Sequence, residues 1–212
     1  MTAVHARVVI LAGPSGAGKS RLAERLELPG VHLDDFYKNG SDPTLPRIES
    51  GPNAGLVDWD HCDSWQAADA IAALSELCES GSAELPVYDI ARDGRCGTTR
   101  LTLDGQPLLI AEGIFAHEIV PELRRRGLLA GAFCVTQHRV VTFWRRLLRD
   151  LREHRKPPLV LVRRGFALMR QQGRIVTRAE ALGCTRVTPE QGYRAVGRLR
   201  ERAPGPVTRG ER

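Results

Sequence analysis

The sequence predicts an α/β domain in which helices cover both faces of a mostly parallel β-sheet, giving three layers. Residues 7–12 are an apolar run that precedes a glycine-rich loop and a helical pattern at 20–26. Residues 108–113 are a second continuous apolar run, typical of a strand that is buried on both faces. Shorter apolar runs alternate with amphipathic segments, as in βαβ units. These shorter runs occupy residues 31–33, 132–136 and 185–187.

Length and charge favour a single domain that handles anions. The 212 residues suffice for one hydrophobic core, and 42% of them are hydrophobic. We see no internal repeat, and we expect one domain over residues 1–202 followed by a disordered tail over 203–212. The formal net charge is +6, supplied almost entirely by arginine. Such a charge suits nucleic acid or a site for polyanionic nucleotides; we expect the second and no nucleic-acid partner.

The cysteines and the apolar segments predict the compartment. The five cysteines are widely spaced, their number is odd and no Cys-x-x-Cys pair occurs, so neither a disulfide framework nor a zinc site is expected. The N-terminus lacks a signal-peptide pattern, and no run reaches the roughly 18 apolar residues of a membrane span. We therefore expect a cytoplasmic protein with no membrane partner.

Residues 13–20, GPSGAGKS, fit the pattern of a phosphate-binding loop, which is a glycine, four residues and then Gly-Lys-Ser. Glycines let successive backbone N–H groups point inward as an anion nest, and the N-terminus of the following helix adds its dipole. The lysine would reach the terminal phosphates and the serine would ligate Mg²⁺. A glycine-rich turn between a strand and a helix is the alternative. The predicted nucleotide-binding residues are Gly13, Ser15, Gly16, Ala17, Gly18, Lys19 and Ser20.

Acidic residues follow two of the predicted strands. Asp34 and Asp35 come directly after residues 31–33, and Glu112 lies at the end of the 108–113 run. Ligands of open α/β sheets bind at these carboxyl ends. One aspartate could accept a proton from a substrate hydroxyl while the other helps to hold metal-bound water, and Glu112 would orient Mg²⁺. A solvated Asp-Asp turn is the alternative for the pair.

A long loop and a helix separate these acids. Residues 39–57 are rich in glycine and proline, which is typical of a functional or mobile loop. Asp63 and Gln66 suit a capping box for a helix that runs to about Ser80. Asp60 precedes this cap, where it could touch a ligand or serve as a second cap.

A β-hairpin and a basic helix complete the predicted elements. Asp93-Gly94 between two extended runs predicts a hairpin over about residues 86–103. Residues 142–165 predict a lid, in which Arg145, Arg149 and Arg152 share one helical face with Arg146 beside them. A solvated basic face is the alternative there. Further helices are predicted at residues 121–126, 159–172 and 189–200.

Several of these stretches together resemble the uridine kinase family of P-loop nucleoside kinases, over roughly residues 7–165. Besides the phosphate-binding loop, the similar motifs are DDFY at 34–37, WDHCD at 59–63, VYD at 87–89, EGIF at 112–115 and RRLLRD at 145–150. The resemblance implies a P-loop NTPase-type fold with a hairpin insertion and a helical lid. It also implies ATP and Mg²⁺ as cofactors, a small-molecule substrate and a homo-oligomer.

The resemblance implies roles for individual residues. Asp34 matches the general base that acts on the ribose 5′-hydroxyl, and Asp60 matches the residue that holds the ribose hydroxyls. Tyr88 matches a residue that contacts the base. Arg146 and Arg149 match lid arginines that bind phosphates and substrate.

The hairpin departs from the family at the position that reads the base. Asp93 stands where nucleoside-specific members have a histidine. A carboxylate only accepts hydrogen bonds, so it would favour the exocyclic amine of cytosine. A plain turn, with Asp93 facing water or paired with Arg92 or Arg95, is the competing interpretation. Tyr37 and Arg95 complete the predicted substrate-binding residues.

The sequence therefore predicts ATP:Mg²⁺-dependent phosphoryl transfer to a hydroxyl of a small molecule, with uridine or cytidine as the leading candidate. Lys19, Asp34 and Arg149 are the predicted catalytic residues. Two alternatives stay open: a kinase of another small alcohol, such as pantothenate or a sugar phosphate, and an ATP-binding regulator that transfers no phosphate.

Overall fold

A five-stranded parallel sheet organises the part of the chain described by the computed structural model, residues 4–137 and 173–203. The strands are β1 (Arg7–Ala12), β2 (Gly30–His32), β3 (Ser82–Asp89), β4 (Gly94–Thr102), β5 (Leu108–Glu112), β6 (Leu129–Val135) and β7 (Thr185–Val187). The main sheet has the order β2-β5-β1-β6-β7, and every pairing in it is parallel. β3 and β4 form a separate antiparallel hairpin.

Helices cover both faces of the main sheet. They are α1 (Lys19–Leu26), α2 (Ala67–Ser80), α3 (Val120–Arg125), α4 (residues 173–181) and α5 (Pro189–Arg202). Alternate residues of β1 face opposite sides, because side chains alternate along a strand. Val8 and Ile10 pack in one hydrophobic cluster with α2, α3 and α4, whereas Val9 and Leu11 pack in another with α1 and α5. The predicted three-layer α/β arrangement is therefore present.

Most predicted elements are found, with shifted ends. β1 begins and ends as predicted, as does β7. The hairpin is longer at its N-terminal side than predicted, beginning at Ser82 rather than Pro86. Helix α4 was not predicted, and β2 ends at His32 because Leu33 begins a 3-10 helix. The predicted lid at 142–165, the helix at 159–172, most of the tail, Arg146 and Arg149 lie outside the described residues.

The predicted capping box is wrong. Helix α2 begins after Gln66, which makes no side-chain cap hydrogen bond, and Asp63 lies in a preceding 3-10 helix. The cap of that 3-10 helix is His61, whose Nδ1 accepts the backbone N–H of Asp63, so Asp60 is not a second cap either. Trp65 separates the two helices in an extended conformation.

Trp65 explains why the chain extends at this point. Its side chain is only 5% exposed, and its Nε1–H donates to the backbone oxygen of Leu33 at 2.6 Å. A buried hydrogen bond of this kind fixes the residue that directly precedes Asp34.

Among residues 4–137 and 173–203, no helix has the length and apolar character that a membrane span requires.

The Trp65 hydrogen bond makes a testable contribution to stability. Trp65→Phe removes this buried hydrogen bond to Leu33, and we expect the free energy of unfolding to fall by about 0.5–1.5 kcal/mol. Trp59→Phe is the matched control, because Trp59 is partly buried and a phenylalanine can keep its edge contact with Tyr37. Urea unfolding of both variants measures the difference, and equal midpoints would contradict it.

Candidate active site

The phosphate-binding loop adopts a backbone that only glycine accepts readily. Gly13, Gly16 and Gly18 have φ values of 133°, 80° and 97°. These values lie in the left-handed region, where side chains are disfavoured. A Cβ at Gly13 would also collide with the backbone oxygen of Val135. The loop therefore curls tightly between β1 and the N-terminus of α1, which is the concave backbone that suits a phosphate group.

Lys19 folds back over this loop. Lys19 is 8% exposed, and its Nζ donates to the backbone oxygens of Gly13 at 2.9 Å and Pro14 at 3.3 Å. The charge of Lys19 contributes to the lowered pKa of Glu112 and partly opposes the rise that burial causes in the pKa of Asp34. The ammonium group thus lies among the loop and two acids, where it can meet an anion bound in the loop.

Ser20 and Glu112 form the bond that links the loop to the end of β5. The Ser20 Oγ donates to Glu112 Oε1 at 2.8 Å, and His32 Nδ1 donates to the same oxygen at 3.1 Å. His32 and Glu112 are register partners in the parallel β2–β5 pair, so the fold places them side by side. A serine hydroxyl next to a carboxylate is an all-oxygen ligand pair that fits Mg²⁺.

The charges of Glu112 and His32 stabilise each other. Burial alone would raise the pKa of Glu112, but the His32 hydrogen bond, Lys19 and the Ser20 hydroxyl outweigh it, and the net pKa is lowered. The hydrogen bond to Glu112 raises the pKa of His32 above 6.5. Because its pKa is lowered, Glu112 stabilises the fold at pH values above its folded pKa. Because its pKa is raised, His32 stabilises the fold at pH values below its own folded pKa. The pair is therefore doubly charged between the two folded pKa values.

Asp34 lies beside the end of β5. Its Oδ1 accepts the backbone N–H of Ile114 at 3.2 Å. Solvent reaches this carboxylate, yet many protein atoms surround it, and the resulting desolvation raises its pKa against the opposing effects of Lys19 and the Ile114 N–H. Asp34 is thus a carboxylate at a solvent-accessible edge of the site, and its affinity for a proton is increased.

Asp35 has a different partner. Its Oδ1 accepts the backbone N–H of Tyr88 at 3.2 Å, which ties the segment after β2 to the hairpin. The two neighbouring aspartates therefore point to different elements, Asp34 to the end of β5 and Asp35 to β3. This difference favours Asp34 as the residue available for chemistry.

An aromatic cluster lies next to these acids. Tyr37 contacts three rings, those of Trp59, Tyr88 and Phe115, with centroid distances of 5.9, 6.0 and 6.0 Å. Burial, followed by the charges of Asp34 and Asp60, raises the pKa of Tyr37, so its hydroxyl stays protonated at neutral pH. That hydroxyl donates to the backbone oxygen of Trp59 at 3.3 Å.

A cavity of about 350 Å³ adjoins the cluster and connects it to the phosphate-binding loop. Ser15, Asp60, Phe115 and Arg174 are among its lining residues. The cavity therefore brings one predicted acceptor-binding residue, Asp60, to the start of the phosphate-binding loop. Arg174 of helix α4 adds a positive charge that no motif in the sequence indicated.

Two predicted substrate-binding residues of the hairpin, Arg95 and Asp93, differ in their surroundings. The Arg95 Nη2 donates to Gln66 Oε1 at 2.8 Å and to Asp69 Oδ2 at 3.1 Å, both at the start of α2. Asp93 is exposed at the hairpin turn with φ 46°. The partners suggested for it are engaged elsewhere, because Arg92 pairs with Asp89.

Sequence reasoning missed three groups in this site. The backbone N–H of Ile114 carries no sequence signal, because any residue but proline supplies one. His32 had a signal, since it directly precedes the acidic pair on a strand that ends at the site. Arg174 lies in a helix that was not predicted, so only the fold reveals it.

Curated relatives and one solved structure resemble this chain. A uridine kinase from Chloroflexus aurantiacus is 29% identical over 69% of this chain and 68% of its own length. A uridine kinase from Lactobacillus johnsonii is 25% identical over the same shares. A structure from Silicibacter sp. TM1040, provisionally named a fructose transport system kinase, superposes with a TM-score of 0.53 at 18% identity over 84% of both chains. No family model matches the chain.

These likenesses confirm two predictions. The curated relatives confirm the resemblance to uridine kinases, at 25% to 29% identity. The solved structure confirms the predicted fold, because it shares the arrangement over most of both chains.

The hydrogen bond between His32 and Glu112 leads to a prediction about charge. His32→Ala removes the largest of the influences that lower the pKa of Glu112, so we expect that pKa to rise. A carbon-detected NMR titration of the glutamate carboxyl groups measures it. His61→Ala, which removes a histidine paired with Asp63 instead, is the control. An unchanged Glu112 pKa in His32→Ala would show that the bond has no electrostatic effect.

Proposed function

We propose that this uridine kinase-like P-loop kinase transfers the γ-phosphoryl group of ATP to a hydroxyl group of a small molecule, with the 5′-hydroxyl of uridine or cytidine as the leading candidate. One observation carries the proposal. Glu112 accepts a hydrogen bond from Ser20, which belongs to the phosphate-binding loop. Asp34 accepts one from the backbone N–H of Ile114, two residues beyond Glu112, so the phosphate side and the acceptor side of the site meet at the end of β5. Such a meeting point is what in-line phosphoryl transfer needs.

On the phosphate side, the residues fit ATP and a magnesium ion. The curled backbone of residues 13–20 would hold the phosphates, with the ammonium group of Lys19 against them. Ser20 and Glu112 would hold Mg²⁺, directly or through water. A bound Mg²⁺ neutralises phosphate charge, which makes the phosphorus easier to attack. The negative charge of Glu112, maintained by His32, keeps this pair suited to a cation.

On the acceptor side, Asp34 would orient the hydroxyl and take its proton. The acceptor oxygen would form a bond to the γ-phosphorus while the bond from that phosphorus to the β,γ-bridging oxygen of ATP breaks and ADP leaves. The hydrogen of the acceptor hydroxyl would move to the Asp34 carboxylate. The raised pKa of Asp34 favours this role, since a carboxylate with higher proton affinity is a better general base. The Ile114 N–H holds one carboxylate oxygen in place and leaves the other for the acceptor.

The aromatic cluster and Asp60 support a nucleoside as the acceptor. Tyr37, Tyr88 and Phe115 provide flat apolar surface next to Asp34. Aromatic side chains bind planar rings by stacking. Asp60 lines the adjoining cavity, where a carboxylate can accept hydrogen bonds from both hydroxyls of a vicinal diol.

A second acceptor class has one observation in its favour. Arg174 is exposed and lines the same cavity. A guanidinium group binds phosphate and carboxylate with parallel hydrogen bonds. Arg174 therefore favours a small alcohol that carries an anionic group, such as a sugar phosphate or pantothenate.

For the compartment, the free state of all five cysteines supports the cytoplasm, where thiols stay reduced.

Asp34 and Asp35 provide a matched pair of variants. Asp34→Asn removes the proton acceptor, and we expect turnover to fall by about a hundredfold or more while ATP affinity is kept. Asp35→Asn should have a milder effect, because the Asp35 side chain is bonded to the backbone of Tyr88 and leaves the Asp34 carboxylate in place. Steady-state kinetics with ATP titrations measure both, and a larger loss in Asp35→Asn would reverse the assignment.

The same role predicts a pH dependence. Asp34 must be ionised to accept a proton, so turnover should fall as pH drops through its raised pKa. This acid limb should therefore lie at a higher pH than the ordinary aspartate value of 3.8. An acid limb that is identical in the wild type and in the residual activity of Asp34→Asn would assign it to another group.

A panel of acceptors tests the proposal as a whole. ATP and Mg²⁺ are incubated with uridine, cytidine, pantothenate and a sugar phosphate, and phosphorylated products are identified by mass spectrometry. We expect a nucleoside 5′-monophosphate. Product from the anionic acceptors alone would support the second class, and no product from any acceptor would favour a regulator without kinase activity.

A further inference from the structure

The tip of the hairpin is bonded to the segment that follows Asp34. We call residues 35–40 the acceptor loop. Its contacts alternate between side chain and backbone, and they reach both strands of the hairpin and its turn. The bonds are Tyr88 N–H to Asp35 Oδ1 at 3.2 Å, Tyr88 hydroxyl to Lys38 O at 3.4 Å, Arg95 N–H to Asn39 Oδ1 at 2.8 Å and Gly40 N–H to Asp93 O at 2.6 Å.

Two of these bonds use side chains of the acceptor loop, one for each strand. Asp35 binds the backbone of β3 and Asn39 binds the backbone of β4. Both bonds join the same register pair, because Tyr88 lies opposite Arg95. The hairpin is irregular at this place, since Val87 pairs with Gly97 and Cys96 has no residue opposite it. A bulge of this kind redirects the backbone of a strand, and here the redirected strand meets Asn39.

The packing at the turn leaves no room for adjustment. A Cβ at Gly40 would lie 2.9 Å from the Cβ of Asp93, which is closer than side-chain atoms pack. The loop and the turn therefore lie in direct backbone contact. This contact also accounts for Asp93, whose backbone oxygen accepts the Gly40 N–H at 2.6 Å.

The bonds control the position of two aromatic rings. Tyr37 belongs to the acceptor loop and Tyr88 to the hairpin, and their ring centroids are 6.0 Å apart. Core packing holds the opposite end of the hairpin, where Ala83 and Leu85 are buried, and the Arg95 side chain is bonded to the start of α2. Near its tip, in contrast, Tyr88 is only partly buried and β4 is largely exposed. Hydrogen bonds between loop and hairpin must then do what core packing does elsewhere.

We propose that Asn39 is a positioning residue for acceptor binding: its side-chain oxygen holds β4, and through it Tyr88, against the acceptor loop. Among the described residues, the Asn39 side chain makes no hydrogen bond to the phosphate-binding loop or to Asp34, so its effect would pass through the hairpin to the aromatic rings. This proposal rests on the proposed function, in which those rings bind the acceptor. Asp35 contributes a similar bond, but its neighbour Asp34 makes it a poor site for a test.

Kinetics and amide exchange together test Asn39. Asn39→Ala should raise the KM for the acceptor roughly tenfold, the equivalent of one lost hydrogen bond to an ordered group, while kcat and the KM for ATP stay within about twofold. Asn39→Asp keeps the accepting oxygen and should restore the wild-type KM. Asn53→Ala is the matched control, because Asn53 is exposed in the following loop and its side chain makes no hydrogen bond within the described residues.

Hydrogen exchange of the Arg95 amide separates this inference from the proposed function, because it needs no substrate. Exchange should accelerate in Asn39→Ala and stay slow in Asn39→Asp. Gly40→Ala is an independent second variant, since it forces the loop away from Asp93 and should raise the same KM. Faster exchange with an unchanged acceptor KM would overturn the positioning role. An Arg95 amide that exchanges at the wild-type rate in Asn39→Ala would show that Asn39 does not protect it through a hydrogen bond.

Discussion

The parallel pairing of β5 with both β1 and β2 is the constraint on which the site depends. Glu112 is the register partner of Leu11 on one side and of His32 on the other. Because the three strands end level with one another, the segments that leave them meet at one edge of the sheet. The phosphate-binding loop follows β1, Asp34 follows β2 and Ile114 follows β5. No loop has to travel far to bring phosphate-binding and acceptor-binding groups together.

Charge at this edge is balanced within a few residues. Lys19 supplies the positive charge that buried Glu112 and the partly desolvated Asp34 need, and His32 adds a second donor to Glu112. The same environment shifts the pKa values of the two acids in opposite directions. Glu112 has more hydrogen-bond donors and a lowered pKa, which suits a cation ligand, whereas Asp34 has one donor and a raised pKa, which suits a base. The proposed division of labour thus follows from how many donors each carboxylate receives.

The sequence predicted the central sheet and the phosphate-binding loop well, because both depend on local signals. Continuous apolar runs mark β1 and β5, and the spacing of glycines and Lys19 marks the loop. Contacts between distant segments were not predictable in the same way. The bond from Tyr88 to Asp35 spans 53 residues, and the Arg95 bond to Asn39 spans 56. No local pattern specifies either partner, since each uses a backbone N–H that almost any residue provides.

The capping-box prediction failed because tertiary packing outweighed a local sequence signal. The capping box at Asp63 was read from a four-residue pattern, but the buried Trp65 delays the start of α2. Tertiary packing overrode the local signal there. Asp93 shows the opposite case, in which a local turn signal was correct, while the role of its side chain toward a base remains a prediction.

We infer that one edge of the sheet joins a phosphate site to an acceptor site, with Lys19 between them. Lys19→Ala tests it most directly, with turnover, the urea midpoint of unfolding and acceptor binding measured on the same sample. We expect turnover to fall by about a hundredfold or more, because the group that stabilises charge on the transferred phosphoryl is lost, while folding and acceptor binding persist. Turnover near that of the wild type would contradict it.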